Sequence, residues 1–234
     1  MKISVIMPTY NEKENIESLI HAVLKSLQDE VEIVVVDDNS PDGTWNIVEK
    51  MDDERIILVR RIDERGLASA IKRGIETAKG DVIVVMDTDF SHPPKKIPDM
   101  ISALGESDIA LGSRHTEGGK MEASKARVFL SKMINLFARI FLGSEIRDYT
   151  GGFLAVRKEI FRDIQILDEW GGYGNYCIGF LYAAKKKGYR IKEVPFVYKY
   201  RTAGETKTAP EEYNLFRWGK RYCLTVLKLR FENL

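Results

Sequence analysis

The apolar run Val82-Ile-Val-Val-Met86 is followed at once by Asp87-Thr-Asp89, so five apolar side chains lead directly into two carboxylates. A short run that is apolar throughout and rich in β-branched residues is typical of a parallel strand covered on both faces. Ligands of open α/β sheets collect beyond the carboxyl ends of such strands. The stretch therefore predicts a buried strand that delivers Asp87 and Asp89 to a ligand-binding edge.

Further apolar runs of strand length give the chain an alternating rhythm. The first of them are separated by amphipathic segments, such as Ile16 to Leu27, whose apolar residues recur at the i, i+3, i+4 spacing of a helix. This βαβα order predicts an α/β fold with one open sheet flanked by helices. The other predicted strands are Ile3 to Met7, Val31 to Val36, Ile56 to Val59, Asp108 to Leu111, Gly152 to Val156 and Ile191 to Val197.

The composition limits the partners and the compartment. The 234 residues include 36 Lys+Arg and 35 Asp+Glu, and the formal net charge of +1 gives no global field that would gather a nucleic acid. Cys177 and Cys223 lack CxxC spacing, which argues against a disulfide scaffold and a thiolate zinc site and favours a reducing cytoplasm. The apolar start is too short for a signal peptide, and no run of about eighteen apolar residues predicts a membrane span.

Two segments combine helical periodicity with basic side chains. From Ser124 to Leu142, apolar residues recur at the spacing of an amphipathic helix. A polar ridge at every fourth position of this segment consists of Arg127, Ser131, Asn135 and Arg139. From Glu211 onward, aromatic and basic residues mix in a pattern typical of a basic amphipathic helix. This terminal helix either packs on the sheet or lies on an anionic bilayer, and we expect packing to be its primary role.

Asp87 and Asp89 are candidate ligands of a divalent metal. Alternate residues at a strand end project to one side, and two carboxylates there form a hard oxygen site that suits Mg²⁺ or Mn²⁺. Such ions leave coordination positions for substrate phosphates, so a diphosphate is the natural partner. The alternative is that both aspartates only cap the loop and the next helix. Their place after a buried strand, beside other acidic strand ends, favours the metal.

Other candidates lie at neighbouring strand ends and in the second half of the chain. Asp37 and Asp38 either bind ribose or a base or form a turn, and Tyr10 either stacks on a base or packs. Neither GxGxxG nor GxxxxGK[ST] follows a strand, which argues against a dinucleotide dehydrogenase and a P-loop enzyme. The candidate phosphate ligands, each otherwise a solvated surface charge, are Arg114, Arg127, Arg201 and Lys207.

Seven short motifs follow one another along the chain: PTYNE (8–12), VVDDNSPDGT (35–44), MDTDFSHPP (86–94), GSR (112–114), TGGF (150–153), EVPF (193–196) and RTAGETK (201–207). Their ordered series resembles the GT-A glycosyltransferases of family two, and within that family the dolichyl-phosphate mannose synthases. The similarity extends from Ile3 to about Lys207. The resemblance implies the Rossmann-like GT-A fold, a mixed, mostly parallel sheet flanked by helices. It also implies an amphipathic helix on the acceptor side and another at the C-terminus.

The resemblance implies a role for each matching residue. The nucleotide-sugar ligands would be Pro8, Tyr10, Glu12, Asp37, Asp38, Asp87, Asp148 and Gly152. The metal ligands would be Asp87, Asp89 and Ser91. The acceptor phosphate would be bound by Arg114, Arg127 and Ser131. The catalytic residues would be Asp89, Arg201 and Lys207, of which Arg201 neutralises the leaving diphosphate.

The implied reaction is the inverting transfer of a hexose to the phosphate of dolichol or another polyprenol, with mannose from GDP-mannose as the leading donor. Expected partners are the nucleotide sugar, Mg²⁺ or Mn²⁺, the polyprenyl phosphate and the cytoplasmic face of a membrane, with no nucleic acid. A partner subunit or a removed segment would supply any membrane anchor. Residues 1–210, including an acceptor loop and helix over 115–142, would form the catalytic domain, and 211–234 the terminal helix.

Three alternatives stay open. Gly179 stands where relatives usually carry Glu, and Gly151-Gly152-Phe153 where they often carry Ser-Gly-Phe, so UDP-glucose is an alternative donor. A phosphatase of the haloacid-dehalogenase kind would use Asp87 as nucleophile, but its motif usually follows the first strand rather than about the fourth. A non-catalytic nucleotide-sugar-binding subunit at the membrane is the third hypothesis.

Overall fold

A seven-stranded sheet forms the centre of the protein. The computed structural model describes residues 1–27, 30–164, 175–199 and 212–231. Within them the strands are β1 (Ile3–Thr9), β2 (Val31–Asp37), β3 (Ile56–Arg60), β4 (Val82–Val85), β5 (Ile109–Ser113), β6 (Lys120–Glu122), β7 (Leu154–Arg157), β8 (Ile191–Pro195) and β9 (Val197–Lys199). The large sheet has the order β3-β2-β1-β4-β7-β5-β8, and β6 and β9 form a separate parallel pair. Only β7 runs antiparallel to its neighbours in the large sheet, so the predicted mixed, mostly parallel sheet is confirmed.

Helices cover both faces of the sheet. They are α1 (Ile16–Ser26), α2 (Thr44–Glu49), α3 (Leu67–Thr77), α4 (Ile97–Ala103), α5 (Lys125–Leu142), α6 (Lys158–Asp163), α7 (Asn175–Lys186) and α8 (Glu212–Phe231). One hydrophobic cluster joins the sheet to α1, α2 and α4, and the other joins it to α3, α5, α6, α7 and α8. In β1, Val5 belongs to the first cluster and Ile6 to the second, as expected for successive side chains of a strand. A strand of this kind needs apolar residues at every position.

The predicted strand from Ile191 to Val197 was wrong at its carboxyl end. The chain leaves the large sheet after Pro195, and Phe196 is buried against His92 and Phe153. Val197 then begins β9, which pairs with β6. The sequence analysis missed β6 because three residues with two charged side chains show no apolar periodicity.

The terminal helix packs against α5 and α7, which confirms the packing role expected for it. Tyr222, Val226 and Leu229 are buried in the same cluster as α5 and α7. A Cβ atom on Gly219 would lie 3.5 Å from side-chain atoms of both Ile134 and Leu130. The boundary at residues 210 and 211 lies outside the described residues, so the domain division stays a prediction. Among the described residues, no helix combines the length and apolar character needed to cross a bilayer.

Gly74 sets how closely α3 approaches the sheet, which yields a first prediction. A Cβ atom there would lie 2.3 Å from Ile6 Cγ2 and 3.3 Å from Val36 Cγ2. Because Ile6 is fully buried and branched at Cβ, it has no room to yield. We expect Gly74→Ala to destabilise the protein by about 1–3 kcal/mol in urea denaturation, although alanine favours a helix.

Arg73→Ala is the matched control, because Arg73 is exposed in the same helix. A variant Gly74→Ala as stable as Arg73→Ala would show that α3 is free to move away from the sheet.

Candidate active site at the carboxyl edge of the sheet

Three loops meet at the carboxyl edge of the sheet. They follow β1, β2 and β4, which lie side by side and run parallel. Each loop contains a non-glycine residue with positive φ: Asn11 at 53°, Asn39 at 52° and Phe90 at 62°. Asparagine tolerates this conformation, but a bulky residue such as phenylalanine pays on the order of 1–3 kcal/mol for it. Such backbone strain concentrates at functional sites, so this edge is the candidate site.

Asp37 holds the loop after β2 to the loop after β1. Its buried carboxylate accepts hydrogen bonds from the Ser40 N–H at 2.7 Å and the Ser40 hydroxyl at 2.6 Å. Ser40 Oγ in turn accepts from the Asn11 N–H at 3.0 Å, and Thr44 Oγ1 accepts from the Glu12 N–H at 3.0 Å. Burial raises the pKa of Asp37, although the Ser40 hydrogen bonds oppose that shift. The turn interpretation of Asp37 is thus confirmed, and its nucleoside contact stays a prediction.

Asp38 forms a buried ion pair with Arg61. The exposed fractions of the two side chains are 7% and 3%. Asp38 Oδ1 accepts from Arg61 Nε at 2.7 Å, and Oδ2 accepts from the Gly66 N–H at 2.8 Å. The pair therefore fastens the start of α3 to the end of β2. Its predicted nucleoside contact stays a prediction. The role of Arg61 was not predicted, because no local pattern connects it with Asp38, which lies 23 residues away in the chain.

The two aspartates after β4 lie in an acidic, partly open position. The Asp87 side chain is 47% exposed. The surrounding protein raises the pKa of Asp87 by removing water, and the negative charges of Asp89 and Glu12 raise it further. Asp89 Oδ1 accepts from the Ser91 N–H at 3.0 Å. Ser91 Oγ is buried and has no hydrogen-bond partner among the described residues. This concentration of negative charge favours the binding of a cation.

The donor atoms at this edge fit Mg²⁺ or Mn²⁺. Two carboxylates and a hydroxyl are hard oxygen ligands, and the unpaired Ser91 Oγ is a polar group that a cation or its water would satisfy. The described part of the chain contains no group of three His, Cys, Asp or Glu side chains able to hold a metal. Mg²⁺ needs no such cage when substrate phosphates and water complete its shell. The arrangement therefore suits a cation shared with a diphosphate.

His92 connects the metal loop to the turn at residues 151–153. Its Nδ1 accepts from the Asp87 N–H at 2.9 Å, so the proton sits on Nε2, which donates to the Gly151 carbonyl oxygen at 3.0 Å. The ring is buried and stacks on Phe153 with centroids 4.8 Å apart. His92 lies within the MDTDFSHPP motif, but the motif predicts no role for it. Its burial among aromatic rings is a tertiary feature without a local signal.

The turn that contains Gly152 requires glycine. Gly152 has a φ of 74°, and a Cβ atom there would lie 2.8 Å from the Tyr176 hydroxyl oxygen. That hydroxyl group is 3.4 Å from the Gly152 carbonyl oxygen, to which it donates. Burial raises the pKa of Tyr176 well above its usual range. Gly152 thus allows α7 to close against the site, while its contact with the sugar stays a prediction.

Arg114 and Asp148 form a second buried ion pair. Arg114 Nε donates to Asp148 Oδ2 at 2.8 Å, and Nη2 donates to Oδ1 at 2.7 Å and to Thr150 Oγ1 at 2.9 Å. Asp148 is fully buried, which raises its pKa, but the charge and hydrogen bonds of Arg114 outweigh burial and lower the pKa overall. The family resemblance implies that Arg114 binds the acceptor phosphate and that Asp148 contacts the nucleotide sugar. The structure shows that they bind each other, and both substrate contacts stay predictions.

Ser131 is turned toward the strands rather than toward open solvent. Its hydroxyl lies 2.9 Å from His115 Nε2. One helical turn further, the buried Asn135 donates to Thr150 Oγ1 at 3.2 Å and accepts from the Tyr149 N–H at 2.7 Å. The polar ridge of α5 therefore points inward and fastens the helix to the loop of Asp148. Sequence analysis missed His115, which reaches Ser131 across the fold.

The remaining predicted residues are placed as follows. Pro8 is buried inside β1, and Glu12 is buried with its Oε2 accepting from Asn15 Nδ2 at 2.8 Å. The Arg65 guanidinium lies 3.6 Å from the centroid of the Tyr10 ring. Arg127 is half-buried near the start of α5. Arg201 and Lys207 lie outside the described residues. The substrate contacts of all these residues stay predictions.

Comparisons with known proteins agree with this geometry. Residues 4–165 match the family described as Glycosyl transferase family 2. The chain is 40% identical over 232 residues to a dolichol-phosphate mannosyltransferase of Pyrococcus furiosus, covering 93% of this chain and 64% of the relative. It therefore spans less than two thirds of that relative's length. Identity is 34% over 232 residues to an undecaprenyl-phosphate mannosyltransferase of Micrococcus luteus, with 94% of each chain covered. Identity to a polyprenol monophosphomannose synthase of Mycolicibacterium smegmatis is 33% over 234 residues, which cover 93% of this chain and 86% of the relative.

Solved structures share the fold. Glucosyl-3-phosphoglycerate synthase from Mycobacterium tuberculosis, in complex with Mn²⁺, UDP and glucosyl-3-phosphoglycerate, superposes with a TM-score of 0.75 at 19% identity, covering 98% of this chain and 80% of that one. The same synthase with Mg²⁺ and UDP gives a TM-score of 0.74 at 19% identity. The superposition covers 98% of this chain and 79% of that one. At this identity the likeness shows the GT-A fold alone.

The Arg114–Asp148 pair yields a prediction about stability and pH. Removing one partner of a buried ion pair leaves an uncompensated charge, so we expect Asp148→Ala to cost about 3–5 kcal/mol at neutral pH. Because the folded pKa of Asp148 lies below its ordinary value of 3.8, the contribution of the pair is complete above pH 3.8 and is lost as the pH falls through the folded value. Urea denaturation of both proteins should show a stability difference that shrinks below pH 3.8.

Asp163→Ala is the control, because Asp163 pairs with Lys187 on the surface at 2.8 Å, where we expect little effect at any pH. An Asp148→Ala protein with wild-type stability at neutral pH would contradict the importance of the buried pair.

Proposed function

Because the chain belongs to glycosyltransferase family 2, we propose that it transfers mannose from GDP-mannose to the phosphate of a polyprenol. The observation that carries this proposal is the acidic edge after β4. Asp87 and Asp89 stand there beside the buried Ser91 Oγ, which has no hydrogen-bond partner among the described residues, so the edge suits a cation shared with a donor diphosphate. Three relatives at 33–40% identity are named for the transfer of mannose to a polyprenyl phosphate, which supports the sugar and the acceptor.

The donor diphosphate would bind beside the carboxylates after β4. Asp87, Asp89 and Ser91 would hold Mg²⁺ or Mn²⁺, and the chemistry supplied by that ion is neutralisation of the charge on the leaving diphosphate. Arg201 and Lys207 would add positive charge to the same leaving group. His92 fixes the backbone of Asp87 relative to Gly151, so the metal loop and the turn at Gly152 keep a constant spacing.

The acceptor would be its own nucleophile. A phosphate monoester is anionic at neutral pH, so its oxygen needs positioning more than deprotonation. That oxygen attacks the anomeric carbon of the sugar, the bond from that carbon to the diphosphate oxygen breaks, and the electron pair leaves with the nucleoside diphosphate. One in-line displacement inverts the anomeric centre, so an α-linked donor gives a β-linked product.

Ser131 and Arg127 would position the acceptor phosphate. Both lie on the inner side of α5, four residues apart, which places them on one face of the helix. The ring of His115 contacts the Ser131 hydroxyl and orients it. Burial lowers the pKa of His115, which favours the neutral ring at neutral pH. In the tautomer protonated at Nε2, the ring would donate to Ser131 Oγ and leave the hydroxyl proton available for the phosphate.

The outer side of α5 would lie on the membrane that contains the acceptor lipid. Four apolar side chains spaced four, three and four residues apart form an exposed stripe, hereafter the outer stripe: Phe129 (66% exposed), Met133 (46%), Leu136 (45%) and Ile140 (67%). An exposed apolar face of this size, bordered by Lys125 and Lys132, is typical of a helix on an anionic bilayer. Leu224 and Phe231 of α8, which packs on α5, are further exposed apolar side chains.

A transfer assay tests the proposed activity. The protein, Mn²⁺ and a polyprenyl phosphate are incubated with labelled GDP-mannose, UDP-glucose or other common donors, and lipid-linked sugar is extracted. We expect product, with GDP-mannose giving the highest kcat/KM. Asp89→Ala should lower turnover by roughly a hundredfold or more, because it removes a ligand at the leaving group.

Asp99→Ala is the control, because Asp99 is an exposed carboxylate that pairs with Lys96 away from the site. Failure of every donor to give a lipid-linked product would overturn the proposal, whereas a preference for UDP-glucose would overturn only the identity of the sugar.

The membrane role of α5 yields a further prediction. Phe129→Ser/Ile140→Ser should weaken co-sedimentation with phosphatidylglycerol vesicles by roughly a hundredfold or more, because each apolar side chain that enters the bilayer contributes about 1.5–3 kcal/mol when fully buried. Ile62→Ser is the control, since Ile62 is 70% exposed in the loop after β3. Equal losses in the two variants would contradict a specific role for the outer stripe.

A further inference from the structure

Tyr198 lies beyond the same carboxyl edge of the sheet as Asp87 and Asp89. The strand β7 runs antiparallel to both β4 and β5, so β5 and its parallel partner β8 run in the same direction as β4. The chain leaves β8 after Pro195 at that edge, and Tyr198 follows in β9. The metal, donor and acceptor roles assigned to other residues do not involve its side chain.

The ring of Tyr198 is held between two parts of the site. Phe196, two residues earlier, is buried with its ring centroid 5.7 Å from that of His92. Tyr198 packs against the same hydrophobic cluster as Phe196, as expected for alternate residues of an extended chain, whereas Val197 between them is 38% exposed. The Arg114 guanidinium lies 5.6 Å from the centroid of the Tyr198 ring. The side chain therefore belongs to the wall of the site.

The hydroxyl group of Tyr198 has no hydrogen-bond partner in the part of the chain that the structure describes. Three other phenols in this part donate hydrogen bonds, namely those of Tyr149, Tyr176 and Tyr189. A half-buried tyrosine normally finds a partner for its hydroxyl group. Unlike Ser91 Oγ, the Tyr198 oxygen is not fully enclosed, so a ligand can reach it.

Charges of both signs surround this hydroxyl group. Burial raises the pKa of Tyr198, the charges of Arg127 and Arg114 oppose that shift, and the charges of Asp89 and Asp87 add to it. The phenol therefore keeps its proton at neutral pH and can donate a hydrogen bond. In the proposed transfer, the diphosphate binds beside the two aspartates and the acceptor phosphate beside Arg127. The hexose would lie between them, beside Tyr198.

We propose that Tyr198 binds the hexose of the donor, with its hydroxyl group donating a hydrogen bond to a hydroxyl oxygen of the sugar. The inference rests on the function proposed above and adds a residue that recognises the transferred group. The ring contributes an apolar surface beside the sugar, and the phenol contributes a polar group at its end. Removal of the phenol oxygen would then weaken the binding of the sugar but not that of the nucleoside diphosphate.

Calorimetric titrations with Mn²⁺ test this inference without requiring transfer. GDP-mannose is compared with GDP, and UDP-glucose with UDP, so that each ratio of dissociation constants isolates the contribution of the sugar. Tyr198→Phe should weaken binding of the preferred sugar nucleotide by roughly threefold to tenfold and leave its nucleoside diphosphate unchanged. Because the hydroxyl group has no partner among the described residues, the variant should keep wild-type stability in urea.

Tyr189→Phe is the matched control, because it removes a phenol oxygen that donates to Asp163 at 2.9 Å. Tyr189 precedes β8 and so lies at the opposite edge of the sheet, where its loss should change neither affinity. Wild-type affinity of Tyr198→Phe for the sugar nucleotide, or an equal loss for the nucleoside diphosphate, would overturn the inference alone. A wild-type protein that binds neither sugar nucleotide would overturn the proposed function together with the inference.

Discussion

The parallel pairing of β2, β1 and β4 is the constraint on which the site depends. It forces three loops with carboxylates to one edge of the sheet, where Glu12, Asp87 and Asp89 repel one another. Like charges in close proximity are unstable unless a cation or a proton neutralises them. Burial raises the pKa of Asp87 most, and the charges of Asp89 and Glu12 raise it further. The fold thus creates an affinity for positive charge at the place where a diphosphate would bind.

Buried ion pairs stabilise the loops around this edge. Asp38 with Arg61 fastens α3 to β2, and Arg114 with Asp148 fastens the loop after β5 to the loop before β7. Each pair is joined by two hydrogen bonds from the guanidinium to the carboxylate. These bonds fix the orientation of the two side chains as well as the distance between them. His92 adds a neutral connection between the metal loop and Gly151. The result is a preorganised frame, in which a substrate meets polar groups already held in place.

Much of the fold was predictable because its signals are local. Parallel strands covered on both faces need apolar residues at every position, so runs such as Val31 to Val36 gave strand positions within a residue or two. The position of Asp87 and Asp89 at the carboxyl edge of the sheet could be predicted from the order of the strands alone. Arg61, His92 and His115 were missed because their partners are distant in sequence or lie on another element. The polar ridge of α5 was recognised, but its inward direction depends on Asn135 and Thr150 meeting across the fold.

Only two carboxylates and one hydroxyl are available as metal ligands after β4, so tight metal binding requires the substrate diphosphate as a further ligand. Titration of Mn²⁺ followed by electron paramagnetic resonance, with and without GDP, measures this coupling directly. The account predicts that GDP strengthens Mn²⁺ binding by roughly tenfold or more, and that Asp89→Asn abolishes the effect. Mn²⁺ affinity that is the same with and without GDP would contradict a metal shared between the carboxylates and the donor.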